Sequence, residues 1–379
     1  MKKLMNIIVT ALIFAEVPAY RAYADDKPEI SAKSAVVISA DTGEIVYSLN
    51  CNQKLPMAST TKIMTTLICL ESGNLYEEFT VDSNAIKVEG SSMGLVEGDI
   101  VTKYALCCGM LLPSGNDAAN ATAVKIAGSI ENFAVMMNDK AKELGLSKTY
   151  FVTPSGLEGE GHGSSAYDMA VLASVALKND IFREICSNKS IQVNFGNPPY
   201  ARWLKNSNKL LSMYEGVYGV KTGFTDEAGR CLVSACERDG KNLICVTLND
   251  RNDWNDHIAM YDYAFKKVKN IDVEVPESIS LDLAGSENDT LSVSTAEPVK
   301  LTVLSADNDD FKFKLKSSPF AYAPVEKGEE LAELGIYYNN REIKSVPLYS
   351  DESAEVYIPE EPKKSGFQKF TDKIRKIFD

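Results

Sequence analysis

Apolar positions recur along the chain in rhythms that change several times, and each change predicts a different kind of element. Residues 35–47, AVVISADTGEIVY, alternate or run continuously apolar on either side of Asp41, Thr42 and Gly43, which reads as two strands around a turn. After Pro56, the stretch STTKIMTTLICLESG is apolar on nearly every side and closes at Gly73. That is the pattern of a helix buried in a domain centre, with Ser59 in its first turn. Helical spacing continues through YALCCGMLLPSGNDAANATAVKIAG, where Pro113 and Gly115 mark a loop over residues 113–116 between two helices. GVYGVKTGFT and GRCLVSACERDGKNLICVTLN then return to strand character, with residues 238–241 as the last turn. Strands at both ends enclose helices, an order that suits an α/β (α+β) domain whose terminal segments pair in one sheet around a helical cluster.

Near Ile271 the helical rhythm fades. Alternating runs such as 299–304 and 311–316, and a hairpin turn at Asn339 and Asn340, predict a second, β-rich domain over residues 271–360. It holds no cluster of reactive side chains and reads as a spacer or pedestal. In the tail, residues 361–379, Phe367, Phe370, Ile374, Ile377 and Phe378 fall at helical spacing opposite Lys369, Lys373, Arg375 and Lys376. Over residues 365–379 such a helix is about 22 Å long, too short to cross a bilayer and suited to lie in its interface; docking onto the protein's own body is the alternative. At the other end, Lys2 and Lys3, an apolar run over 4–15, and Ala22, Tyr23 and Ala24 read as an export signal over 1–24, leaving a first domain over 25–270. The alternative is an uncleaved anchor, for which the run falls short of the roughly 20 residues a span needs.

Composition adds limits. A chain of 379 residues with 45% hydrophobic and 25% charged residues is ordinary globular material with room for more than one domain. A net charge of -13 argues against a nucleic-acid partner, since neutralising phosphates requires clustered Lys and Arg. A basic tail on so acidic a body favours anionic lipid as its contact. Of the eight cysteines, Cys69, Cys107, Cys108, Cys231 and Cys245 sit in apolar segments and read as reduced, buried thiols. A disulfide from Cys51 or Cys186 stays open. No spacing resembles a zinc site, and no metal or organic cofactor is called for.

Three short motifs carry candidate chemistry: Ser59-Thr60-Thr61-Lys62, Ser114-Gly115-Asn116 and Lys221-Thr222-Gly223. On a helix, positions i and i+3 share a face, so Ser59 and Lys62 can bring a hydroxyl and an amine together. A serine is inert at its own pKa and needs a base. A lysine serves only when neutral, which burial among residues 63–70 and a nearby Lys221 cation would both favour. The chain has two histidines, His162 and His257, leaving little room for a histidine triad, and a Ser–Lys pair is an alternative to one. Plainer roles exist: Ser59 could cap the helix, and Ser114 and Asn116 could be turn residues after Pro113. The functional reading makes Ser114 a proton relay to the leaving group, and Asn116 an amide holding Lys62 and the substrate backbone. Lys221 supplies charge, Thr222 a hydroxyl, and Gly223 a close backbone approach for a ligand, a set that suits a free carboxylate.

In this order the three motifs resemble the S-x-x-K, S-x-N and K-T-G signature of penicillin-binding proteins and serine β-lactamases. Within that group the chain is most similar, from about Lys33 onward, to low-molecular-mass D-alanyl-D-alanine carboxypeptidases. The likeness rests on SADTGEIVYSLN, PMASTTKIMT, MLLPSGNDAANA, TPSGLEGEGHGSSAYDMA and GVKTGFTDEAGRCLVSA. The resemblance implies a β-lactamase/transpeptidase-like domain with an antiparallel sheet, a small all-β domain and a C-terminal amphipathic helix. It implies an enzyme on the outer face of the bacterial cytoplasmic membrane whose partners are peptidoglycan stem peptides ending in D-Ala-D-Ala, and β-lactams as covalent inhibitors. It also implies that Ser59 is acylated, that Thr222 and Lys221 receive the terminal carboxylate, and that the N–H groups of Ser59 and Phe224 form an oxyanion hole. His162 reads as structural, and Arg251, in a poorly matching stretch, stays outside the site. Two alternatives remain: a β-lactamase using Glu158 or Glu160 to activate water, and a membrane-anchored sensor that is acylated without turnover.

Overall fold

A computed structural model describes residues 27–277 and 279–359. The expected export signal over 1–24 and amphipathic helix over 361–379 lie outside the described residues. Five antiparallel strands form the central sheet: β1 (Ser34–Ser39), β2 (Ile45–Leu49), β3 (Val217–Thr225), β4 (Gly229–Arg238) and β5 (Lys241–Leu248), in the order β2-β1-β5-β4-β3. The terminal segments do pair, Ser34 facing Leu248 and Ser39 facing Leu243. β1 is continuously apolar because both its faces are covered: Val36 and Ile38 join the helical core, while Ala35 and Val37 join a second core with Met260 and Tyr261. β3 closes one edge of the sheet and so keeps one side of its backbone unpaired within it.

The helix predicted from Ser59 divides in two. A 3₁₀ turn, Ala58–Thr61, carries the serine, and an α-helix, α1 (Lys62–Glu71), follows; residues 62–70 are all buried. The tight turn arises because Ala58 is left-handed, at φ 48°, and Met57 O accepts from both Thr60 N and Thr60 Oγ1, at 3.2 and 2.6 Å. Ser59 therefore caps neither element, since the caps are Met57 and Thr61. Around α1 pack α2 (Lys103–Leu111), α3 (Asn116–Ala127), α4 (Ile130–Glu143) and α5 (Ala166–Ala176), which explains its apolar character on all sides. The expected break between α2 and α3 falls on residues 112–115. A four-stranded sheet, Glu78–Thr80, Ile100–Thr102, Ser190–Gly196 and Pro199–Lys205, flanks this cluster. All eight cysteines are free thiols, with Cys51 half-buried and the others buried.

The β-rich part is built on a six-stranded sheet and a two-stranded one, and Asn339 and Asn340 turn its longest hairpin with φ of 50° and 61°. Its attachment to the first part centres on the β1–β2 turn. The Glu44 carboxylate accepts from Leu304 N, Ser305 N, Ser305 Oγ and Ala306 N at 2.8, 3.0, 2.9 and 3.2 Å, and Asp41 Oδ2 accepts from Thr302 N at 2.7 Å. Burial alone would push the Glu44 carboxyl up, but the N–H donors outweigh it and hold it below its ordinary value. A group lowered in this way stabilises the folded state fully above the unfolded pKa of about 4.3, and the effect is lost as pH falls through the lowered folded value. Glu44→Ala leaves three backbone donors without their acceptor and is expected to cost about 2–4 kcal/mol. Urea unfolding at pH 7 checks this, and an unchanged midpoint would refute the clamp.

Candidate active site

The serine turn, the start of α3, the edge strand β3 and a loop over residues 152–157 meet at one place. Lys62, with no exposed surface, sits beneath it. Its Nζ lies 2.9 Å from Ser59 Oγ, 2.7 Å from Asn116 Oδ1 and 2.6 Å from Ser155 O. Burial drives its pKa well below the ordinary lysine value; Lys221 adds to the effect and Asp117 opposes it. A neutral amine has two hydrogens and one lone pair. With N–H donated to Asn116 Oδ1 and Ser155 O, the lone pair is left for the Ser59 O–H. The arrangement can therefore take a proton from the hydroxyl.

The surroundings fix each partner. Asn116, the first residue of α3, donates Nδ2 to Glu89 O at 2.7 Å, which orients Oδ1 toward Lys62. Asp117 holds the neighbouring loop by accepting from Met93 N, Gly94 N and Leu95 N at 2.9, 3.1 and 3.0 Å. Pro154 O accepts from Thr65 Oγ1 at 2.6 Å, which ties the loop carrying Ser155 to α1. His162 accepts at Nδ1 from Val152 N at 2.9 Å, so its Nε2–H donates to Thr61 Oγ1, also at 2.9 Å. Burial, then Lys54, lowers its pKa to about 4, so at neutral pH it is an uncharged strut for this loop.

Ser59, Ser114, Thr222, Gly223 and Phe224 line a cleft of about 320 Å³, whereas Lys62, Asn116 and Lys221 are buried below it. Ser114 sits in the α2–α3 loop with φ 67°, a conformation uncommon for a serine. Lys221 is 1% exposed, burial lowers its pKa to about 7, and its Nζ donates to Thr222 O at 2.8 Å. Thr222 Oγ1 lies 2.7 Å from Ser207 Oγ in the cleft wall. The missing side chain of Gly223 has a packing consequence within the chain itself. A Cβ there would stand 3.1 Å from each of Met57 O, Ser59 N and Thr60 N, so the glycine lets β3 press against the backbone of the serine turn. That contact brings the Ser59 N–H beside the strand carrying Phe224.

The sequence did not reveal the Ser155 carbonyl or Arg230. Arg230 on β4 stands opposite Phe224 on β3, so its side chain shares the cleft face with Thr222 and Phe224. Asp253 grips its Nε and Nη2 at 3.0, 2.8 and 2.9 Å, and Trp254 lies 5.4 Å from the guanidinium. Arg251 is exposed and does not line the cleft. Glu158 and Glu160 are exposed and line a different depression, with Lys54, Pro56 and His162, and not the cleft that Ser59 lines. Among the described residues no group of three or more acidic, Cys or His side chains is placed to hold a metal.

With this geometry in place, comparison with known proteins is specific. Residues 21–252 match the family described as D-alanyl-D-alanine carboxypeptidase, and residues 265–356 match the penicillin-binding protein 5 C-terminal domain. The chain is 33% identical to D-alanyl-D-alanine carboxypeptidase DacF of Bacillus subtilis over 98% of its length and 97% of the relative's. It is 29% identical to DacC of Escherichia coli, covering 87% of this chain and 86% of that one. Among solved structures, the carboxypeptidase DacD from Francisella tularensis aligns with a TM-score of 0.61 and 26% identity, covering 87% of this chain and 95% of its own. The Streptomyces K15 DD-transpeptidase aligns with a TM-score of 0.61 and 32% identity over 63% of this chain and 99% of its own.

Proposed function

Because the chain belongs to the D-alanyl-D-alanine carboxypeptidase family of serine peptidases, we propose that it removes the terminal D-alanine from peptidoglycan stem pentapeptides through an acyl-enzyme on Ser59. The observation that carries this reading is the fully buried Lys62 amine 2.9 Å from Ser59 Oγ, with two other acceptors taking its hydrogens. Ser59 Oγ attacks the carbonyl of the penultimate D-alanine and passes its proton to Lys62 Nζ. The Ser59 and Phe224 N–H groups receive the developing oxyanion. The C–N bond then breaks, and the proton returns from Lys62 by way of the Ser114 hydroxyl to the departing amine. Water hydrolyses the ester, with Lys62 again taking and returning a proton.

The free carboxylate of the substrate belongs beside Thr222, where the cleft offers the half-exposed Arg230 in addition to the buried Lys221. A β-lactam would acylate the same serine. No helix among the described residues is long and apolar enough to cross a membrane. Export to the outer face of the cytoplasmic membrane, and contact with its surface through the C-terminal tail, rest on the sequence of the two termini alone. Incubation with a D-Ala-D-Ala tripeptide and with penicillin tests the reaction. The expected result is D-alanine release and a penicillin adduct that is slowly lost, both absent in Ser59→Ala. Rapid penicillin turnover without D-alanine release would instead indicate a lactamase, and a permanent adduct without D-alanine release a sensor.

A further inference from the structure

The hairpin of Ser190–Gly196 and Pro199–Lys205 has two unlike faces. Its inner face carries Val193, Phe195, Arg202 and Leu204. Arg202 stacks on the Phe195 and Tyr200 rings at 4.1 and 4.3 Å and donates Nη1 to Gly94 O at 3.0 Å. The outer face carries Ser190, Gln192, Asn194, Ala201, Trp203 and Lys205, every one of them exposed. Trp203, one of two tryptophans in the chain, is 64% exposed there, and the other residues the ladder places on this face are polar or small. Gln192 stands directly across the ladder from it, and Asn194 stands across from Ala201, two positions along. An indole bordered by two carboxamides and a small step matches a sugar ring: its C–H face lies on the indole, and its hydroxyl or acetamido groups meet the amides.

The place of this face in the fold fixes which sugar. From Trp203 the chain runs through Lys205 and Asn206 to Ser207, which lines the cleft and bonds Thr222. Four residues span at most about 14 Å, and a five-residue stem peptide at most about 18 Å. A peptide whose end occupies the cleft is therefore long enough to place the sugar that bears it against Trp203. We propose that the outer face of this hairpin binds the amino-sugar strand of peptidoglycan, with Trp203 as its stacking platform and Gln192 and Asn194 as its polar contacts. The inference rests on the proposed reaction only for the identity of the polymer.

Wild type, Trp203→Ala and Trp203→Tyr are compared on a soluble D-Ala-D-Ala tripeptide, on intact insoluble peptidoglycan and on glycan strands stripped of peptide. Trp203→Ala is expected to lower D-alanine release from peptidoglycan, and co-sedimentation with stripped glycan, each on the order of tenfold, while kcat/KM for the tripeptide is unchanged. Trp203→Tyr is expected to restore most of both. An equal loss on tripeptide and polymer, or unaltered sedimentation of Trp203→Ala with glycan, would overturn the proposal. If no D-alanine is released from any substrate, yet sedimentation depends on Trp203, the reaction fails and the sugar surface stands. If D-alanine is released but Trp203 is immaterial, the reverse holds.

Discussion

Lys62→Met is expected to slow acylation of Ser59 by about 10²–10⁴-fold, the range typical of removing a positioned general base. Methionine fills a similar volume in a site with no exposed surface, so the loss is of the lone pair and not of the packing. The variant leaves Asn116 Oδ1 and Ser155 O without their shared donor, at about 1–3 kcal/mol each, so unfolding by urea is followed in parallel and the assay is run well below the midpoint. Mass spectrometry of the penicillin adduct over time gives the rate. In the wild type, acylation should rise with pH through the lowered pKa of Lys62 and stay high where an ordinary lysine is still protonated. Because the folded pKa is depressed, the unfolded chain binds an extra proton between that value and about pH 10.4, so the cost of this lysine to stability grows as pH falls through that window and is complete below its folded pKa.

The second large effect is expected at a residue outside the motifs. A Cβ on Gly156 would stand 2.0 Å from Ala58 O and 2.5 Å from Ala58 C, and the residue has φ 86°. Both obstacles are backbone, so the two segments cannot keep their places in Gly156→Ala. The loop presents the Ser155 carbonyl to Lys62, and Ala58 precedes the nucleophile, so the serine turn and its base move apart together. Destabilisation by roughly 3–5 kcal/mol is expected, with a fall in kcat of about 10²-fold in whatever remains folded. Urea unfolding and single-turnover assays read the two. Wild-type values in both would show that the loop is not what holds Lys62.

What the sequence disclosed follows from which interactions have a residue signature. Periodicity placed the strands of the central sheet and the buried α1, because burial on both faces or all round leaves long apolar runs. The i, i+3 spacing brought Ser59 and Lys62 together whether the turn between them is 3₁₀ or α, so the geometry held although the element did not. The tight turn itself was invisible, since it depends on the left-handed Ala58 and on β3 packing across Gly223. Ser155 contributes a carbonyl, which any residue possesses, and no pattern of side chains marks it. Arg230 enters the cleft through its register opposite Phe224, and a register is fixed only when the sheet is assembled. Nothing in the sequence marked Glu44, because the backbone donors it clamps lie about 260 positions further on.

The claim beneath the proposed reaction is that residue 62 carries an unprotonated amine while the enzyme works. NMR of protein labelled at lysine Cε, with Lys62→Met and Lys221→Met spectra to assign the signals of these two residues, measures that ionisation directly. The Lys62 resonance should titrate well below the usual lysine range of about 10.4 and already report a neutral amine where acylation is fast. A resonance that keeps its ammonium shift up to the ordinary lysine pKa, in an enzyme fully active several units lower, would contradict the account.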